Sequence, residues 1–188
     1  AGAAVYDGVA WQPLPLTTRT LAVAIDASDP DGDVVWFGTP DGVSRLETAS
    51  GVWTHFAAAE LGLAGGGVDE LLVDSNGHLW AGTIGDGLGF WDGTDWHFYR
   101  TSNSGIPFNL VQAIAEVAPG RFWIGTGLPA AAGGRLSEFD GETWAELSAR
   151  NSGFSGAEPL AIAVDGDGRR WVATRSAGLD VYEPERSR

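Results

Sequence analysis

Acidic side chains at alternate positions are the first feature of this sequence that could do chemistry. Asp29, Asp31 and Asp33 alternate in DPDGD, and Asp165 and Asp167 alternate in DGDG. Oxygen donors spaced this way can wrap a calcium ion. An EF-hand type of loop also needs a bidentate acid at its twelfth position, and counting from Asp29 that position is Pro40. Aspartates in such clusters also cap the amides of tight turns, and turn capping is the role expected here. The histidines, His55, His78 and His97, show no H-x-x-x-H spacing, and cysteine is absent, so zinc is not expected. No G-x-S-x-G elbow occurs, and GLAGGG (62–67) lacks the lysine of a phosphate loop. The sequence therefore predicts a non-enzymatic protein with no metal and no cofactor.

What remains are groups that could hold a ligand rather than transform it. Arg19, Asp86, Arg100, Asn103, Arg150, Asn151 and Arg175 fall in segments that differ most between the internal copies described below. Guanidinium forks suit carboxylates and sugar hydroxyls, so the expected ligand is a small molecule or glycan. Glu70 and Glu116 alternate with apolar residues on candidate inner strands and could line a central channel.

The elements that must position these groups come from a repeat. Trp36, Trp80, Trp123 and Trp171 recur about every 45 residues, and Trp11, Trp53, Trp96 and Trp144 form a second series with the same spacing. Each unit reads as four short strands. An apolar run (LAVAI, ELLV, VQAIAEV, LAIAV) leads to a turn with Gly32, Gly77, Gly120 or Gly168, then to a strand carrying W-x-[GA]-T. A third strand (VSRLE, GLGFW, RLSEF, GLDVY), a glycine turn and the second tryptophan follow. No helical periodicity competes. The fold class is all-β, a β-propeller of about four four-stranded blades, with repeats near 21–56, 68–99, 110–147 and 160–182. In such a fold the first tryptophan series fills the wedge between neighbouring blades.

The block LVDSNGHLWAGTIGDGLGFWDG (72–93), followed by WHFYRTSNSGI, resembles the two-component regulator propeller repeat, and ARNSGF (149–154) repeats its linker. The resemblance covers essentially the whole chain. The first copy departs by the insertion DASDPDGD, the third by EVAPG in place of the turn aspartate, and the fourth by Ala173 in place of glycine. The resemblance implies an extracellular or periplasmic ligand-sensing or protein-interaction module of a bacterial signalling protein. DGDVVWFGTPDGVSRLE (31–47) faintly resembles streptogramin-type lyase blades, which leaves a metal-using propeller enzyme as the alternative, with a purely structural assembly repeat as a third.

Composition bounds the partners. The chain of 188 residues is 44% hydrophobic and 11% aromatic, as one globular domain over 1–188 requires. Its 11 basic and 25 acidic side chains give a net charge of −14, the wrong sign for nucleic acid or an anionic membrane surface. No apolar run approaches the roughly 20 residues that span a bilayer. The chain contains no methionine and starts AGAAVYDG, so a mature or excised piece of a longer protein is expected. At the ends, AVYDGVAWQPL supplies a third and fourth strand and 160–182 lacks a fourth. Residues 5–14 are thus expected to close the last blade, within one chain or by self-association into a larger ring.

Overall fold

The computed structural model describes residues 2–27, 33–127 and 133–184. Among these the regular elements are all β-strands. A two-stranded hairpin, β1 (Ala4–Tyr6) and β2 (Trp11–Pro13), precedes four antiparallel sheets. The first sheet holds β3 (Ala22–Asp26), β4 (Val34–Thr39), β5 (Gly42–Glu47) and β6 (Val52–Ala57). The second holds β7 (Val68–Val73), β8 (Leu79–Thr83), β9 (Leu88–Trp91) and β10 (Trp96–Tyr99). The third holds β11 (Leu110–Ala118), β12 (Arg121–Gly127), β13 (Gly134–Phe139) and β14 (Trp144–Leu147), and the last only β15 (Pro159–Val164), β16 (Arg170–Thr174) and β17 (Gly178–Tyr182). Strands in each sheet pair in simple sequence order.

The repeated residues explain why each sheet forms. Gly77, Gly120 and Gly168 sit at φ of 82°, 72° and 77°, the left-handed conformation that the first turn requires. Gly32, assigned the same role, lies outside the described residues. The threonine of W-x-[GA]-T closes the next loop: Thr83 Oγ1 donates to the Gly87 carbonyl at 2.7 Å, and Thr39 and Thr174 make the same bond to Gly42 and Gly178. The turn into the fourth strand is an Asx turn. Asp92 Oδ1 accepts from Thr94 N and Asp95 N, both at 2.8 Å, as Asp140 does from Glu142 N and Thr143 N.

Sheets meet through their first and second strands. A side chain at Gly38 would lie 2.6 Å from the Val68 carbonyl oxygen, and one at Gly82 would lie 2.8 Å from that of Val111. At Gly125 it would lie 2.7 Å from the Pro159 side chain. The glycine of the repeat is thus the place where the first strand of the next sheet crosses. The fourth copy has Ala173 there, in the last of the described sheets.

Trp36, Trp80 and Trp123 are buried between successive sheets, as the spacing predicts, in three separate cores. Each joins the second strand of one sheet to the first and second strands of the next: Trp36 with Leu71 and Leu79, Trp80 with Ile114 and Phe122, Trp123 with Ile162 and Val172. Burying a side chain of this size is worth roughly 3 kcal/mol. Trp171 has no such cover and is half-buried.

At the ends, among the described residues, β2 pairs only with β1 and β17 only with β16, so residues 5–14 do not pair with the last sheet within the chain. Among the described residues, β15 makes no packing against β3 comparable to the β3–β7, β7–β11 and β11–β15 contacts. Three-residue strands offer too few hydrogen bonds to hold a long closure when no buried face accompanies them.

Candidate functional site

A cleft of about 550 Å³ lies between the first and second sheets. Residues alternate across a strand, so Trp36, Arg45, Thr54 and Phe56 project from the first sheet toward the second on one face. Opposite them stand Trp91 and the two turns that carry His78 and Asp92. The floor is aromatic: Phe56 and Trp91 have ring centroids 5.1 Å apart, Trp36 and Phe56 are stacked at 6.1 Å, and the Arg45 guanidinium sits 5.7 Å over Trp36. The rim is polar. Arg45 is paired with Glu47, His78 Nδ1 lies 3.5 Å from Asp74, and His97 bonds Asp92 at 2.9 Å. The Asp95 amide first, then His97 and the Thr94 amide, hold the Asp92 carboxyl down at about 2, so it is an anion at any physiological pH. Flat apolar rings beside fixed charges and amides can stack one face of a polar ring compound and hydrogen-bond its edge.

The first two junctions differ at the third-strand position paired with the buried tryptophan, and Leu79 stands where the next junction has Phe122. The register Trp36↔Arg45 is repeated as Trp80↔Phe90. Phe90 lies 4.6 Å from Trp80, with Phe122 at 4.4 Å on the other side, and the second–third interface is filled. Arg45 instead lays its guanidinium over Trp36 and pairs with Glu47. Sequence reading did not single out Arg45, Phe56, Trp91 or Asp92, and considered His78 only as a metal ligand. Setting the third strands side by side would have shown Arg45 where the other copies have Phe90, Glu138 and Val181.

The residues singled out from the sequence occupy four separate places. Asp86 and Arg100 come together, but their groups tie down the loop between sheets. Asp86 Oδ2 accepts from Ala64 N at 2.9 Å and Gly65 N at 2.6 Å, while Arg100 donates to the Asp86 and Gly62 carbonyls and covers Phe98 at 4.8 Å. Asn103 and Asn151 are equivalent turn caps: their carboxamides accept from Arg100 N and Ser148 N at 2.7 Å and donate to Phe98 and Glu146 carbonyls at 2.9 Å. Arg175 grips the buried Glu158 with two nitrogens, and this pairing first of all holds the Glu158 carboxyl below its ordinary range. Arg19 and Arg150 are exposed. Most of the loop 127–134 lies outside the described residues.

Asp29 and Asp31 also lie outside them. Asp165 accepts the Trp171 indole N–H at 2.9 Å, and Arg169 at 2.7 Å, while Asp167 pairs with Arg169 at 3.0 Å. The indole bond and the arginine depress the Asp165 carboxyl strongly. These aspartates serve the turn and an arginine. Among the described residues no three His, Asp or Glu side chains gather as a metal site would require.

Where first strands bulge, at Asp69 and Gln112, one buried oxygen on each finds no hydrogen-bond donor. Burial pushes Asp69 up to about 6 and Glu70 up to about 7, with the Ile114 amide working against burial at Glu70. Glu116 is instead tied across the interface, accepting from Ser75 N at 2.7 Å and Ser75 Oγ at 2.8 Å.

No protein-family model matches the chain, and no curated protein does. Solved structures match its fold. The extracellular domain of a hybrid two-component system from B. thetaiotaomicron has a TM-score of 0.68 at 19% identity over 88% of this chain and 22% of its own length. PorZ, a surface component of the type-IX secretion system of Porphyromonas gingivalis, has a TM-score of 0.63 at 17% identity over 90% of this chain and 26% of its own. YCF48 bound to D1 peptide has a TM-score of 0.67 at 17% identity over 96% of this chain and 56% of its own. The sheets are arranged as in β-propellers, and the chain spans about a quarter of the first two of these proteins.

Proposed function

We propose that this chain is a non-enzymatic recognition module, a propeller segment of about four blades. Its place would be extracellular or periplasmic, like the sensor regions of two-component proteins. The observation that carries the proposal is the aromatic cleft between the first two sheets, lined by Trp36, Phe56 and Trp91 under Arg45, His78 and Asp92. Its ligand class is a carbohydrate or a similar polar ring compound. A sugar ring stacks its C–H face on the indole of Trp91, and its hydroxyls meet the charged rim. Rigid sheets hold these groups without the reorganisation that weakens loop sites. Structural likeness to extracellular domains of hybrid two-component systems supports the sensing role.

Titration calorimetry with a panel of neutral and acidic oligosaccharides tests this. Saturable binding by the wild-type chain that Trp91→Ala removes is the expected result. A panel without binding, or binding indifferent to Trp91 and Arg45, refutes the assignment.

A further inference from the structure

We infer that the cleft between the first two sheets takes a sugar carrying a protonated amine, in preference to a neutral or an acidic one. The inference rests on the reading of the cleft as a sugar site and goes on to name the charge of its ligand. The charged groups of the lining decide the sign. Asp26, at the end of β3, stands on the wall given by the first sheet, and Asp92, in the turn after β9, on the wall given by the second. Among the described residues Arg45 is the one arginine on the lining, and its charge is already matched. It pairs with Glu47 and lies 5.7 Å over Trp36. His78 lies 3.5 Å from the buried carboxylate of Asp74, which accepts the Trp80 indole N–H at 2.9 Å. One guanidinium thus stands among four carboxylates, Asp26, Glu47, Asp74 and Asp92, in a chain whose net charge is −14. A carboxylate or sulfate on the ligand would meet like charge from both walls. An ammonium meets the opposite.

The rings point the same way, independently of the carboxylates. The face of an aromatic ring is negative at its centre, so it attracts a cation within about 6 Å of the centroid. Trp36, Phe56 and Trp91 form a continuous row, with successive centroids 6.1 Å and 5.1 Å apart. At the Trp36 end the protein supplies that cation itself, from Arg45. Trp91 is half-buried, and among the described residues no guanidinium covers it. Asp92 follows it directly in the chain, so a carboxylate adjoins the uncovered indole. Its Oδ1 accepts from the amides of Thr94 and Asp95, and its Oδ2 bonds His97 at 2.9 Å and keeps a lone pair for a donor from the cleft. These bonds fix the carboxylate before any ligand arrives. A sugar with its C–H face on Trp91 brings an exocyclic amine within reach of Asp92, while its hydroxyls face Thr54 and Asn76.

Three glucosides that differ only in the group at their sixth carbon test the inference: methyl glucoside (hydroxyl), its 6-amino-6-deoxy derivative (ammonium) and methyl glucuronide (carboxylate). Tryptophan fluorescence titrations of the whole chain, at neutral pH and low ionic strength, read the three affinities. The amine should bind about tenfold more tightly than the neutral glucoside, the combined scale of one cation–π contact and one exposed ion pair. The glucuronide should bind more weakly than either. Added salt should shrink the advantage of the amine and leave the neutral sugar unchanged. Asp92→Asn keeps the acceptor of the Asx turn and removes the charge, so circular dichroism should be unaltered and the preference for the amine should fall about threefold or more. Should that variant fold differently, the salt titration of the wild type decides alone. Equal affinities for amine and hydroxyl, tighter binding of the glucuronide, or a preference indifferent to salt overturns the inference and leaves the sugar-site reading standing. Saturation by none of the three overturns the inference, and the oligosaccharide panel then decides whether the sugar-site reading falls with it.

Discussion

The junction between the first and second sheets and the junction between the second and third are built from the same repeat, yet one is open and the other filled. In the filled junction Trp80 is ringed by Phe90 and Phe122, with Tyr99 and Phe139 beyond. In the open one Arg45 stands at the Phe90 position and Leu79 at the Phe122 position, and the remaining aromatic rings line a cleft of about 550 Å³. The hub glycines Gly38 and Gly82 hold the inner strands equally close in both. A propeller-type junction can thus gain a pocket at its periphery without loosening its inner packing.

The largest expected effect breaks the filled junction. Trp80→Ala should destabilise the chain by about 3–5 kcal/mol, because it deletes a buried indole and leaves a cavity among aromatic neighbours. Urea unfolding followed by circular dichroism would measure it.

Glu70 sharpens the comparison through pH. Its carboxyl is pushed up to about 7 by burial in that junction. The folded state holds this proton more tightly than the unfolded chain, so the stability it contributes is intact at pH 4.5 and declines as pH rises toward 7. Glu70→Gln keeps an acceptor for the Ile114 amide and removes the charge. It should raise stability by about 2–3 kcal/mol at pH 8 and change little at pH 4.5, read as the difference between paired urea midpoints.

On the open side, Trp91→Ala should cost only about 1–2 kcal/mol, since its ring is partly exposed to the cleft, while oligosaccharide binding is lost. Arg45→Phe makes the open junction chemically like the filled one. Stability should change by less than about 1 kcal/mol in either direction, and ligand heat in calorimetry should disappear because the cleft is filled. If Arg45→Phe bound ligand as the wild type does, the cleft would not be the site.

Much of the architecture was legible without coordinates. The sheets fall where the paired tryptophan series places them, and the turn glycines, capping aspartates and loop threonines act as the repeat implies. Departures from the repeat were legible too, but their meaning was not. Ala173 reads as a trivial change until Gly38, Gly82 and Gly125 are seen pressed against the following strand. Asp86, Arg100 and Arg175 read from sequence as ligands for a binding loop; the structure adds that Asp86 accepts two backbone amides, Arg100 donates to two carbonyls and Arg175 pairs with Glu158. Composition of a loop cannot reveal which backbone amides it must satisfy.

The sequence by itself determined the strands, their turns and their order within each sheet, because pleat alternation, positive φ at glycine and Asx capping act over a few residues. Tertiary structure alone decided that the first hairpin stands apart from β17 and that one junction opens into a cleft. These depend on how sheets some 45 residues apart along the chain meet. There, side chains such as Arg45 and Leu79 or Phe90 and Phe122 meet only once the sheets are placed against one another.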